Sequence, residues 1–527
     1  MNDTLSKLAA KTAQGKFSRR AFMGRAAALG VTVTMASGLL ASAVRAEAKK
    51  GGMLNMGLGG GGTTDTLDPA LAANNVTFSV NRQWGDAIVN VTATGEIEPR
   101  LAESFESSPD AKVWTFKIRP NVKYHDGTVM TPEDVVATFK RHSDENSKSG
   151  ALAIMQGIES MAVDGDKVVL TLSTANADLP FLVSDYHLVI QPGGGVAAPD
   201  AGVGTGPYKV VTSEPGVRYE FEKFADHWDP AVGHFDGVEM LVINDGTARS
   251  SALQSGQVAM INKVEPKVAG LLGRAPGVTV ENVSGRGHYV FIMRCDVAPF
   301  DNNDLRLALK YAIDRQEMVD KILNGYGSIG NDIPINAAYP LFDDTLPQRE
   351  FSIEKAAEHY KLSGHDGSPI VLKVADTAFP GAVDAAALFQ QSAAKAGIPL
   401  EIQRVPDDGY WSEVWNKEPF SASYWGGRPV QDQMYSTAYM STADWNDTAF
   451  RNPDFDAMIL SARGELDPVK RKAIYSEMAK LLHETGGVIC PMFNDFIDAV
   501  NDTVVGFEAD PNYEMMGGFA SSKCSMA

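Results

Sequence analysis

"VWTFKIRPNVKYHDGTVMTPEDVVATFKR", residues 113–141, specifies a strand, a turn and a helix in one short run. Trp114, Phe116 and Ile118 alternate with polar neighbours, so an extended chain places all three on one face. Pro120-Asn121 breaks that strand. A second short strand over Val122 to Tyr124 is expected to run into Asp126-Gly127, a pair that accepts positive φ. Thr131-Pro132-Glu133-Asp134 then reads as a helix start, with an N-cap, a proline where no intrahelical hydrogen bond is lost, and acids over the positive end of the dipole. Helix is expected through Phe139.

The same alternation continues on both sides without a repeat. "KVVLTLS" (167–173) is a strand by its period of two, and "GTGPYKVVTSEPGVRYEFEKF" (204–224) is a glycine-rich approach to a hairpin. "NDLRLALKYAIDRQEMVDKILNG" (303–325) carries apolar residues at helical spacing and stops at Asn-Gly. "ALFQQSAAKAGIPLEIQRV" (387–405) reads as a helix closed by Gly397 and followed by a strand, and "DPVKRKAIYSEMAKLLHETGGVICPMF" (467–493) repeats that order. The fold class is mixed α/β.

The 527 residues can bury more than one core. Asp and Glu number 66 against 47 Lys and Arg, a formal charge of −19. With no basic run beyond the N-terminus, this excess argues against nucleic acid or an anionic membrane surface as partner. The three cysteines, Cys295, Cys490 and Cys524, are too few and too far apart for a disulfide framework; at most one bridge and at least one free thiol are expected.

Residues 1–46 have the order of an export signal. Basic residues lead into "FSRRAFMG" (17–24), an uncharged stretch follows from Ala26 to Ala43, and a small-residue exit ends at Ala46. Arg19-Arg20 after Ser18 resembles the twin-arginine signal, which implies the twin-arginine export machinery as a partner. Cleavage near Ala46 is expected to leave a periplasmic protein. No cysteine stands at the exit to carry a lipid anchor.

Enzyme signatures are weak or missing. "GLGGGG" (57–62) satisfies G-x-G-x-x-G in letters, but Pro69 sits where a nucleotide-binding helix should be under way. The nine histidines are scattered, without zinc spacing, and no G-x-S-x-G elbow occurs. His125 in "YHDG" reads as a turn residue, and Asp126 and Asp134 as turn and cap. No catalytic residue, metal ligand or cofactor is expected.

"LDP" (67–69), "WTFKIRPNVKYHDG" with "TPEDV" after it, "GTGPY" (204–208) and "APFDNNDLRLALKYAIDR" (298–315), in that order, resemble the family 5 extracellular solute-binding proteins, the peptide and nickel receptors of bacterial ABC importers. The resemblance spans nearly the whole chain after residue 46. Ile118 and Leu305 depart from the usual residues and affect packing only. The resemblance implies a type II periplasmic binding protein fold: two lobes that close on ligand about hinge strands, with the extra subdomain of the large peptide-binding class. It places lobe I at about 47–285, with the subdomain at about 96–203, lobe II at about 286–489, and a return to lobe I over 490–527. The hinge strands fall near "RGHYVFIM" and "VICPMFN". A monomer working with two membrane permease subunits and two cytoplasmic ATPases is implied.

The same resemblance points three stretches at an interlobe cleft, where aromatic walls exclude water and a few polar groups orient ligand. They contribute Thr64 and Asp65 from "GGTTDTLDP", Asp185, Tyr186 and His187 from "LVSDYHLVI", and Trp425, Gly427, Arg428, Asp432 and Tyr435 from "YWGGRPVQDQMY". Read from the residues alone, the same stretches are a flexible turn, a turn between apolar strands, and ordinary core. In dipeptide-binding relatives an aspartate after Trp-x-Gly holds the ligand's amino group; here that position is Arg428. An arginine cannot pair an ammonium. Either Asp432 takes the role, or the ligand presents an anion. A peptide or peptide-like ligand is the first expectation, a carboxylate-rich or metal-chelate ligand the second, and an exported enzyme on this scaffold the third.

Overall fold

The computed structural model describes residues 50–527 other than 145, 407–409 and 444, together with residues 12, 22, 23 and 25. The leader expected over 1–46, with Arg19 and Arg20, therefore lies outside the described residues apart from those four.

The 113–141 run folds largely as its pattern dictates. Val113–Ile118 is a strand that buries Trp114, Phe116 and Ile118. It sits between Ala102–Ser107 and Lys167–Leu172 in a four-stranded antiparallel sheet completed by Ile158–Asp164. The second short strand is reduced to one bridge, Lys123 with Val129. The turn between them is too tight for more: Tyr124 donates to the Thr128 carbonyl and Met130 to that of Val122, with Gly127 at φ +87°. The helix starts at Pro132, where Asp134 Oδ2 accepts the Thr131 amide at 2.8 Å. It runs to Ser143, a turn beyond the expected end, with Lys140, Arg141 and His142 over the negative end of the dipole.

The main sheet has eleven strands, ten along one path and Gly327–Ile329 paired beside that path with Val488–Asn501. Its centre is an antiparallel pair, Val278–Met293 and Val488–Asn501. On one side of this pair lie Phe420–Trp425, Ile370–Val374 and Leu400–Arg404; on the other, Met260–Ile261, Met53–Leu58, Gly237–Val242 and the hairpin 208–223. The central pair slips register between Ser284 and His288 and again between Tyr289 and Phe291. Such irregularities bend and twist a strand, and they fall where the sheet passes from one body to the other.

Hydrophobic cores separate across the pair. On the first side Leu54, Met56, Trp84 and Met240 pack with Phe507, Met515, Ala520 and Cys524, and a neighbouring core fills the space under the four-stranded sheet. On the second side Phe291, Leu372, Phe389 and Phe420 form one core, and Trp425, Tyr435, Phe455 and Met478 another. The expected helix over 303–325 is instead two, Asn303–Tyr311 and Arg315–Lys321. Asp314 causes the break by capping the second helix, its Oδ1 accepting the Glu317 amide at 3.0 Å.

No disulfide forms among the described residues; all three cysteines are thiols, with Cys490 and Cys524 buried. A buried ionic cluster sits beside Cys490 instead. Asp332, with no exposed side-chain surface, meets Arg315 at 2.7 Å and Arg349 at 3.0 Å, and its Oδ1 accepts the Cys490 amide at 3.1 Å. Burial opposes ionisation of Asp332, but Arg315, Lys310 and Arg349 together outweigh it and hold the carboxyl below its usual range. Burial also pushes the Lys310 ammonium down to about 7.

Candidate functional site: a cavity between the two bodies

A cavity of about 640 Å³ lies between the two bodies, floored by Arg286, Gly287 and Tyr289 of one central strand and Asn494 and Phe496 of the other. This volume suits a small molecule or short peptide.

One wall comes from the helix Asn75–Trp84 and the turn at 184–186. Phe78 and Arg82, four residues apart, share the helix face that looks into the cavity. The Phe78 ring centroid is 3.7 Å from that of Tyr186 and 5.3 Å from that of Tyr513. Arg82 donates to Asn90 Oδ1 and to the Ser184 carbonyl, and its guanidinium lies 4.8 Å above the Phe519 ring. Burial pushes it down to about 10, against the pull of Asp185 and Asp86. Asp185 accepts from the His187 amide and lies 2.6 Å from His187 Nδ1. Burial opposes its charge, but His187 and Arg82 outweigh burial and hold the carboxyl below its usual range.

The facing wall is the end of the strand Phe420–Trp425 and the loop Gly426-Gly427-Arg428-Pro429. A Cβ on Gly427 would stand 2.3 Å from Arg286 Cβ, so the loop reaches this close only as glycine. The Arg428 amide donates to Tyr339 Oη, while its Nη1 donates to the carbonyls of Gly426 and Gly427. Arg286 spends Nε and Nη2 on the Ala338 carbonyl. Trp425 donates its indole N–H to Asp447 Oδ2, which also accepts from Trp415. Burial raises the Asp447 carboxyl to about 7 against both hydrogen bonds. Among the described residues, no carboxylate pairs directly with Arg82, Arg286 or Arg428.

Arg428, Trp425, Gly427, Asp185 and Tyr186 thus line one cavity. Five other expected residues do not. Asp432 lies on the helix Gln431–Ala438, turned away, and accepts from Arg463 Nε at 3.1 Å. Tyr435, on the same helix, is fully buried in the core against Phe455 and Tyr475. Asp65 faces inward to support the helix cap, accepting from the Gly62 amide and Asn74 Nδ2, and Thr64 beside it is exposed. His187 sits behind the wall, with Nε2 2.8 Å from the Ala72 carbonyl. Arg82 and Arg286 were not anticipated. Each is the lone charge of an otherwise uncharged segment, "NVTFSVNRQW" and "VSGRGHYVFIM", and that isolation was the available signal.

The bodies also touch away from the central strands. Arg471 Nη1 donates to Asp178 Oδ1 at 2.7 Å, and the Ala177 amide donates to the Arg463 carbonyl at 2.7 Å. Burial raises the Asp178 carboxyl to about 6; the charge of Asp432 adds to the rise, and Arg471 and Arg463 oppose it. If the bodies part and expose Asp178, its carboxyl is expected to fall back toward its ordinary value of 3.8. The closed form therefore keeps its proton at a higher pH than the open form, so closure gains as pH falls from about 6 to about 4 and is unaffected well above 6. Affinity for the native ligand is expected to strengthen over that window by at most about a hundredfold. Asp178→Asn should flatten this part of the profile relative to the parent. Identical profiles for the two proteins would remove Asp178 from closure.

Two bodies, a bent pair of connecting strands and a polar-aromatic cavity between them have the form of a solute receptor. Residues 96–447 match the bacterial extracellular solute-binding proteins, family 5, and the chain belongs to that family. It is similar to the glutathione-binding protein of Pectobacterium atrosepticum, 22% identical over 474 residues covering 86% of this chain and 91% of that protein. Among solved structures, the periplasmic binding protein AgaA of A. tumefaciens in complex with agropinic acid is 25% identical, with a TM-score of 0.74 over 90% of this chain and 99% of that one. HbpA2 of Haemophilus parasuis reaches a TM-score of 0.80 at 20% identity, covering 90% of this chain and all of its own. The fold is the two-lobed periplasmic binding protein fold, and the chain is a solute-binding receptor of an ABC importer.

Proposed function

We propose that the receptor captures a small peptide-like molecule between its lobes and delivers it to the importer's permease, without turning it over. The observation that carries this reading is Arg428: a guanidinium at the cavity wall, held among the described residues by carbonyls of its own loop, that can turn a two-pronged contact toward a ligand carboxylate. Trp425, Gly427, Asp185 and Tyr186 complete the proposed contacts. Glutathione and agropinic acid, named for two relatives, are both small and amino-acid-derived. The lobes are proposed at about 47–285 with 490–527, and 286–489; the bent central pair, at Ser284–His288 and Asp495–Phe493, supports a hinge there. Mass spectrometry of ligand released from natively purified protein tests the reading. An intact small carboxylic acid that raises the melting temperature on return supports it; loss of intact ligand during incubation would favour an enzyme.

The receptor is further proposed to be a monomer that reaches the periplasm by twin-arginine export, cleaved near Ala46 and free of a lipid anchor. Changing Arg19 and Arg20 together to lysine is expected to leave precursor in the cytoplasm, read by fractionation and immunoblot. Normal delivery of that double variant would refute the export route.

A further inference from the structure

We infer that the ligand carries at least two acid groups, one taken by Arg82 on the first lobe and one by Arg428 with Arg286 on the second. The inference deepens the proposed function and rests on the interlobe cavity being the ligand site.

Three guanidiniums line one cavity, and none is paired with a protein carboxylate among the described residues. The two aspartates on the same walls act on the arginines at a distance but spend their hydrogen bonds elsewhere. Asp185 is tied to His187, and Asp510 accepts both the amide and Nδ2 of Asn512. Burial pushes the Asp510 carboxyl up, and although Arg286 acts on it across the cavity, no ion pair joins the two.

The cations also bear on the same small space. The Tyr186 hydroxyl feels both Arg428 and Arg82, and burial, with a smaller push from Arg428, holds His288 down to about 4. A guanidinium in a partly desolvated cavity gains from an anion brought to it, and cations on both walls offer that gain to two anions at once. Each guanidinium has five N–H donors, and those used here go to neutral acceptors, Asn90 and main-chain carbonyls. Donors remain for a carboxylate fork on both walls.

A ligand with one acid group can satisfy one wall only. A diacid ties both walls together and favours the closed form through contacts to each lobe, which makes acid count the specificity-determining property.

Calorimetry on the full mature chain tests this with three probes: alanyl-alanine, glutamyl-alanine and glutamyl-glutamate. In the parent the second carboxylate is expected to tighten binding by about tenfold or more. That increment should vanish in Arg82→Gln and in Arg428→Gln. Arg82→Lys, which keeps the charge without the fork, covers the case in which Arg82→Gln does not fold. Equal affinity for alanyl-alanine and glutamyl-alanine in the parent, or an increment that survives in folded Arg82 and Arg428 variants, overturns the inference. If no probe binds, the copurified ligand is esterified with methanol and its esters counted: two or more support the inference, and one or none overturns it. Unchanged affinity of both variants for that copurified ligand would show that the cavity itself is not the site, a separate failure of the proposed function.

Discussion

Arg428→Ala is expected to weaken binding of the native ligand by roughly thirtyfold to several thousandfold, because truncating one member of a buried charged pair costs about 2 to 5 kcal/mol. Arg428→Lys should also be costly. An ammonium keeps the charge but cannot offer two parallel donors to one carboxylate, and its shorter reach leaves the gap between the loop and the ligand unfilled. The loop itself should survive either change: the Arg428 contact to Tyr339 is made by the main-chain amide, and Gly427 sets the approach to Arg286. Calorimetry with the native ligand decides the matter. Binding of both variants within about threefold of the parent would make Arg428 a surface charge with no part in recognition.

The second large effect is on stability. Asp332→Ala is expected to cost about 3 to 5 kcal/mol, since it removes the counter-charge from two buried guanidiniums and strands the Cys490 amide that now donates to Asp332 Oδ1. Asp332→Asn keeps the volume and the acceptor but not the charge, so a loss of similar size in both variants would assign the effect to electrostatics. The pH dependence has a definite sign. The folded carboxyl lies below its unfolded value of 3.8, so this contribution is present above that pH and is lost as pH falls through the folded value. Urea unfolding followed by far-UV dichroism is the check, and a midpoint unchanged by Asp332→Ala would show that the cluster is relaxed by water or by rearrangement.

Much of the wall architecture was legible because it depends on local chemistry. Proline at the first helical position, with Thr131 and Asp134 around it, fixes the helix start at Pro132 whatever the tertiary setting. The glycine pair before Arg428 likewise marks a place where backbone comes close to something, and that something is Arg286. Spacing along the chain fails where direction matters. Asp432 is four residues from Arg428, but a helix begins between them at Gln431, and its rotation carries the carboxylate around to Arg463. Thr64 and Asp65 fail for a related reason, since a polar residue after a strand can serve the next helix cap as readily as a ligand, and Asp65 does. The break at Asp314 was hidden because apolar spacing continues across it, while one side chain accepting the Glu317 amide is enough to start a new helix. Arg82 and Arg286 carry no motif. Their role comes from long-range assembly, which brings residues near 82, 286 and 428 onto one cavity.

The path of the chain has a further consequence, for the order in which the molecule can be built. Leu54 and Met56, in the first strand, share a core with Phe507, Met515, Ala520 and Cys524. On a ribosome, the segment from 294 to 487 emerges whole while the core begun at residue 54 still lacks its closing side chains. Contacts this distant in sequence must wait for synthesis to deliver their partners, so the core around Leu54 is sealed last, after the core under the four-stranded sheet and those built from the middle of the chain have all their residues. A nascent chain halted before residue 507 would hold its other cores complete in sequence but this one unsealed, with the apolar face of its first strand still open to whatever chaperone or neighbour it meets.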